Sequence, residues 1–225
     1  MLYAEPMEAE DNRFPDRTDA GRQLAARLVD MKLDHPQVYA LPRGGVPVAV
    51  EIAAALKAPL DLILARKIGA PGNPELALGA IAEGPDTEVI VNEDVWMSTR
   101  AEPIYFNEEK ARQQEELARR AAAYLGDRPR LDPAGKTAVV VDDGLATGAT
   151  MKAALSALAR RKARRLILAL PVAPKDTLHV FADLADDIIC LNPATTFRGV
   201  GAFYRDFDQL TDAEVVALLD RAPAQ

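Results

Sequence analysis

The sequence predicts an α/β protein built on a parallel sheet with helices on both faces. Two observations carry this. Several short runs are apolar throughout instead of alternating, as in strands buried on both faces. Helix-length segments of ten or more residues separate most of them, as parallel strands require.

The elements follow in order. Before Val38 only Thr18 to Asp30 looks helical. Val38 to Leu41 reads as a strand closed by Pro42, and Val46 to Leu56 as a helix with Pro47 in its first turn, where a missing N–H is harmless. Leu60 to Ala65 is a second strand. Leu76 to Asn92 holds two apolar runs around Glu83-Gly84-Pro85-Asp86, a hairpin pattern. Asn107 to Leu125 is a long polar helix with Glu108/Arg112, Glu115/Arg119 and Glu116/Arg120 at i,i+4, each pair worth about 0.3 kcal/mol. Its apolar face is thin, so it either projects from the core, lies against a partner subunit or is a solvated surface helix. Thr137 to Val141 is a third strand, Thr150 to Arg161 a helix, Leu166 to Leu170 a strand, Lys175 to Leu184 a helix and Asp187 to Leu191 a strand. Thr211-Asp212-Ala213-Glu214 is a capping box that opens a last helix through Leu219. Without repeats or low-complexity linkers, a single domain over 1–225 is expected. Its core would span about 38–191, an insertion about 68–128, and a C-terminal hood and helix about 192–225.

Composition excludes several classes. With 27 Lys and Arg against 34 Asp and Glu, the net charge of −7 argues against nonspecific nucleic-acid binding. The basic cluster Arg160-Arg161-Lys162 with Arg164-Arg165 falls at a helix C-terminus, where cations oppose the dipole. One cysteine, Cys190, rules out an intramolecular disulfide, and two histidines leave little for a His-rich metal centre. The acidic first ten residues do not read as a signal peptide, and no apolar run is long enough for a membrane helix. A cytoplasmic protein is expected.

The most informative stretch is Val139-Val140-Val141-Asp142-Asp143-Gly144-Leu145-Ala146-Thr147-Gly148-Ala149-Thr150. A buried strand ends in two carboxylates, and a turn of small and hydroxyl residues then opens a helix. Unpaired amides at a helix start suit a phosphate. Gly144 and Gly148 let the backbone approach it, and Thr147 and Thr150 add hydroxyl donors. Asp142 and Asp143 would repel an anion unless they hold sugar hydroxyls or help to place a divalent cation. A phosphorylated polyol satisfies all of this. No Lys follows Gly148 and no G-x-G-x-x-G occurs, so neither common nucleotide loop is present.

From Val139 to Thr150 the chain resembles the type I phosphoribosyltransferases, whose signature for phosphoribosyl pyrophosphate (PRPP) is a strand, two acids and a Thr-Gly turn. More narrowly, the chain resembles a stand-alone bacterial group of predicted phosphoribosyltransferases. The resemblance implies that Asp142 and Asp143 contact the ribose hydroxyls, directly or through hydrated Mg²⁺. It implies that Gly144, Leu145, Ala146, Thr147, Gly148, Ala149 and Thr150 hold the 5′-phosphate. It also implies that a turn equivalent to Arg43-Gly44-Gly45 holds the pyrophosphate. Arg43 offers a fixed fork for phosphate oxygens, and Gly45 precedes a helix whose amides point the same way. A basic residue after the second strand commonly reaches the pyrophosphate in this family; Lys67 is expected in that role, with Arg66 in reserve. A mobile loop over PRPP would be 68–76, the hairpin that follows, or part of the segment before Asn107.

The acceptor side departs from the hypoxanthine–guanine branch, which carries a third acid where this chain has Ala146. The hood implied after the last core strand would be Phe197 to Phe207. There Phe197 would stack on a planar acceptor, with Tyr204 and Asp206 as further readers. The expected activity is Mg²⁺-dependent transfer of the phosphoribosyl group from PRPP to a nitrogen acceptor, by a homo-oligomer, a dimer. The alternative is a PRPP- or nucleotide-binding regulator without turnover. A phosphate-ester hydrolase lacks a recognisable nucleophile–base pair.

Overall fold

The computed structural model describes residues 2–3, 13–84 and 87–223. In chain order its elements are β1 (Leu2–Tyr3), α1 (Arg17–Asp30), β2 (Pro36–Ala40), α2 (Gly45–Leu56), β3 (Leu60–Leu62), β4 (Ala65–Ala70), β5 (Asn73–Ala82), β6 (Glu88–Val91), α3 (Glu93–Thr99), α4 (Pro103–Leu125), β7 (Thr137–Val141), α5 (Ala149–Arg160), β8 (Arg165–Pro174), α6 (Lys175–Leu178), β9 (Asp187–Ala194) and α7 (Asp212–Leu219). Six strands form a parallel sheet in the order β1-β9-β8-β7-β2-β3, and three form an antiparallel sheet, β4-β5-β6.

β7 is buried along its length and apolar from Ala138 to Val141, because helices cover the parallel sheet on both sides. From β2 the chain steps outward to β3, then returns through β7 on the other side of β2. Strand order therefore reverses between β2 and β7, and a crevice opens at their carboxyl ends, where such sheets bind ligands. The Arg43 turn and the acid pair are the segments that emerge there.

Three expectations change. The apolar run from Leu60 is two strands: β3 stops at Leu62, and Ala65 starts a strand that pairs with Ala82 in the other sheet. Hydrophobicity alone does not say to which sheet a residue hydrogen-bonds. The long polar helix packs on its own chain, with Phe106, Leu117, Tyr124 and Leu125 buried against β4, β5 and α7. Of its three expected pairs only Glu116–Arg120 forms, at 2.8 Å; Arg112 instead joins Glu109, and Arg119 joins Glu116. The helix expected over 175–184 is α6 plus a 3₁₀ turn over His179–Phe181. The hairpin is present as β5 and β6, although Pro85 and Asp86 of its turn lie outside the described residues. Among the described residues no helix is long and apolar enough to cross a membrane.

Candidate functional site

The β7 ladder delivers Asp142 and Asp143 to the sheet edge side by side. Asp142 Oδ1 accepts the Asp143 amide at 2.9 Å, and both side chains are half-buried. Burial, and next the charge of Asp143, push the Asp142 carboxyl well above its ordinary range. Burial also raises Asp143, against the pull of Arg17, whose Nε donates to Asp143 Oδ2 at 2.8 Å. Two partly desolvated carboxylates with one guanidinium leave an acceptor-rich site, suited to hydroxyl donors or a hard cation.

The Arg43 turn meets this pair directly. A Cβ on Gly44 would collide with the Asp143 carboxylate, and one on Gly45 would lie 2.6 Å from the Val141 carbonyl oxygen. Glycine at these positions is therefore required by the close approach of α2's start to the end of β7. The Pro42–Arg43 peptide is cis. Arg43 is partly exposed, with Nη1 3.7 Å from Asp212 Oδ1; Tyr124 donates its hydroxyl to the same oxygen at 2.7 Å. The capping box is present, Thr211 with Glu214, and it sets the α7 start beside the Arg43 turn.

The turn after the acids is anchored from below. Leu145 is buried and its amide donates to the Val172 carbonyl oxygen at 3.0 Å, so both its side chain and its amide anchor the turn to β8. Gly148 takes φ +77° over the Phe181 ring and starts α5. Between these anchors Ala146 and Thr147 are exposed, while Ala149 and Thr150 are half-buried in the first turn of α5.

Lys67 and Arg66 are corrected in position. They lie on β4, not at the edge of the parallel sheet: Lys67 Nζ pairs with Glu75 at 2.9 Å, and Arg66 Nε donates to Gln113 at 2.8 Å. The chain left the parallel sheet three residues earlier than expected. The hood also differs. Phe197 is half-buried and stacks on Phe203, with centroids 5.6 Å apart. Tyr204, expected to read an acceptor, is buried, and its hydroxyl donates to the Asp143 carbonyl oxygen at 2.6 Å. It supports the acid pair from beneath because its ring is enclosed by Phe14 and Phe207. Asp206 is exposed, and its amide donates to the Pro15 carbonyl oxygen at 3.0 Å.

Sequence reasoning missed Arg17, Tyr124 and Asp212. Arg17 stands 126 residues from its partner Asp143, and Tyr124 stands 88 from Asp212. No local spacing signals such pairs.

The model of the phosphoribosyl transferase domain matches residues 12–208. Two Mycobacterium tuberculosis proteins, from strains CDC 1551 / Oshkosh and ATCC 25618 / H37Rv, carry the names "Putative phosphoribosyl transferase MT0597" and "Putative phosphoribosyl transferase Rv0571c". Each is 46% identical over 209 residues, covering 93% of this chain and 47% of the relative. The chain thus spans about half the length of these curated relatives. The crystal structure of TT1426 from Thermus thermophilus superposes with a TM-score of 0.79 at 43% identity, covering 93% of this chain and 99% of that one.

Proposed function

Since the chain belongs to the phosphoribosyl transferase domain family, we propose that it transfers the 5-phosphoribosyl group of PRPP to a nitrogen acceptor with loss of pyrophosphate. The acceptor nitrogen forms a bond to C1 while the C1–oxygen bond to pyrophosphate breaks, with inversion; the electron pair leaves on pyrophosphate, and the proton lost by the nitrogen passes to water or to the departing pyrophosphate. The meeting of the Arg43 turn and the acid pair, with Gly44 against Asp143, carries this reading. In this reading the Arg43 turn serves the pyrophosphate, the acid pair the ribose hydroxyls and the turn that follows the 5′-phosphate.

In this reading Gly144 to Thr150 hold the 5′-phosphate with the Thr147 and Thr150 hydroxyls and the turn's backbone amides, apart from that of Leu145, which serves Val172. Asp142 and Asp143 accept hydrogen bonds from the ribose hydroxyls and favour positive charge developing at C1. Arg43 steadies the leaving pyrophosphate as a planar fork, itself held by Asp212. Phe197 presents a ring to a planar acceptor.

The acid pair fits Mg²⁺ arriving with the substrate. Among the described residues no group of three or more His, Cys, Asp or Glu side chains could hold a metal ion, so two carboxylates would bind one only together with ligand oxygens and water, as Mg²⁺ favours. When bound, Mg²⁺ screens charge on the pyrophosphate. Asp142 and Asp143 would hold it, through water.

The test is pyrophosphate release from PRPP and Mg²⁺ across a panel of nucleobases and amines. Release with at least one acceptor is expected, with hypoxanthine and guanine poor because Ala146 offers no acid to a 6-oxopurine. PRPP binding without release from any acceptor would make the protein a binder, and efficient turnover of guanine would refute the acceptor argument.

A further inference from the structure

Arg17 opens α1 and engages three groups at once. Its Nε donates to Asp143 at 2.8 Å, its Nη1 donates to the Asp208 carbonyl oxygen at 2.9 Å, and its guanidinium carbon lies 3.8 Å from the Phe207 ring centre. The ion pair is largely withdrawn from water, with side-chain exposures of 12% and 13%. Main-chain bonds tie the same N-terminal segment to the hood: Phe14 N donates to Phe203 O at 2.8 Å, Arg205 N to Phe14 O at 2.9 Å and Asp206 N to Pro15 O at 3.0 Å. Phe207 stacks on Tyr204 at 4.9 Å, and Tyr204 donates to the Asp143 backbone. Asp143 and the hood are therefore linked twice, through its carboxylate by Arg17 and through its carbonyl by Tyr204.

Compensating one carboxylate needs only a cation, and a lysine would provide it. Here the side chain also uses a second fork nitrogen and a flat face, which only arginine has. An ion pair this dry roughly breaks even between desolvation and attraction, so stability alone does not account for it.

We propose that Arg17 is a positioning residue that couples the sugar-phosphate site to the acceptor hood. Resting on the reading of Asp143 as a ribose ligand, it holds that carboxylate in place for the sugar hydroxyls and transmits its engagement to residues 203–208. By thermodynamic reciprocity, an acceptor settling against the hood tightens PRPP binding to the same degree.

The experiment compares wild type, Arg17→Lys, Arg17→Gln and Phe207→Leu. PRPP with Mg²⁺ is titrated calorimetrically, and amide hydrogen exchange over 203–208 is followed with and without PRPP. Arg17→Gln, which leaves Asp143 unpaired, weakens PRPP about tenfold or more. Arg17→Lys keeps affinity within about threefold because the cation remains, yet it reduces the PRPP-dependent change in hood exchange as the fork and the stack go and only the Tyr204 link is left. Phe207→Leu, with the ion pair intact, shows the same split. An unchanged hood response in both Arg17 variants overturns the coupling while wild-type PRPP binding stands. A wild-type protein that takes up no PRPP overturns the functional reading itself, and the coupling with it.

Discussion

Asp143 touches Gly44, Arg17, Tyr204 and the Asp142 carboxylate, so a one-atom change there is felt from several sides. Replacing both acids by asparagine keeps size and removes charge. Asp142→Asn with Asp143→Asn is expected to abolish calorimetric PRPP binding while near-native circular dichroism is retained; unchanged affinity would remove the acid pair from the site. The two basic candidates separate on their surroundings. Arg43 is held loosely at the crevice by Asp212, whereas Lys67 is committed to Glu75. Arg43→Ala should therefore weaken PRPP by about tenfold and leave ribose 5-phosphate binding nearly untouched, while Lys67→Ala changes either by less than about threefold. Competition titrations with the two ligands decide this. Cys190, whose thiol burial pushes up to about 12, is expected to resist alkylation at pH 8 until the chain unfolds.

At the scale of the element, α4 shows how a polar helix is held. Its buried side chains fill only one stripe, and Glu116 on its flank bonds both Arg119 and Arg120. Those hydrogen bonds lower the Glu116 carboxyl from its ordinary 4.5 to about 2. A carboxyl depressed by folding stabilises above its unfolded pKa, and the benefit fades as pH falls from about 4.5 through about 2. Because the pair stands near solvent, screening leaves about 0.5 kcal/mol. Glu116→Gln should cost that much in urea denaturation at pH 7 and about a quarter of it near pH 2.5. An equal cost at both values would make the role one of shape.

Across the whole molecule the two sheets are joined by Arg130. Its Nε bonds both oxygens of Asp61 on β3, at 3.1 and 3.0 Å; Nη2 donates to the Leu62 carbonyl oxygen at 2.8 Å, and Nη1 reaches Glu83 beyond β5. Asp61 is 2% exposed and also accepts the Leu62 and Leu131 amides, so removing the guanidinium strands a buried charge. Arg130→Met is expected to lower unfolding free energy by about 3 kcal/mol, and adding Asp61→Asn to recover part of it. Urea melts of the single and double variants check this, and strict additivity would contradict a direct pair.

The parallel core, the acid pair, the glycine turn that opens α5 and the capping box were legible because each is written in neighbouring residues. An apolar strand, two acids, a glycine at a helix start and Thr three places before Glu are each complete within a few residues of sequence. The placement of Lys67 was not legible, because an apolar run looks alike whether its hydrogen bonds go to one sheet or to two. The burial of Tyr204 was hidden for a related reason: an aromatic segment fits a ligand face and a core equally well. Arg17 and Asp212 were out of reach altogether. Their partners are distant in the chain, and only the reversal of strand order between β2 and β7, with the N- and C-terminal segments folded over it, brings them to one crevice. The local motifs follow from the order of the residues, and the meetings of Arg17 with Asp143 and of Arg43 with Asp212 from closure of the chain in three dimensions.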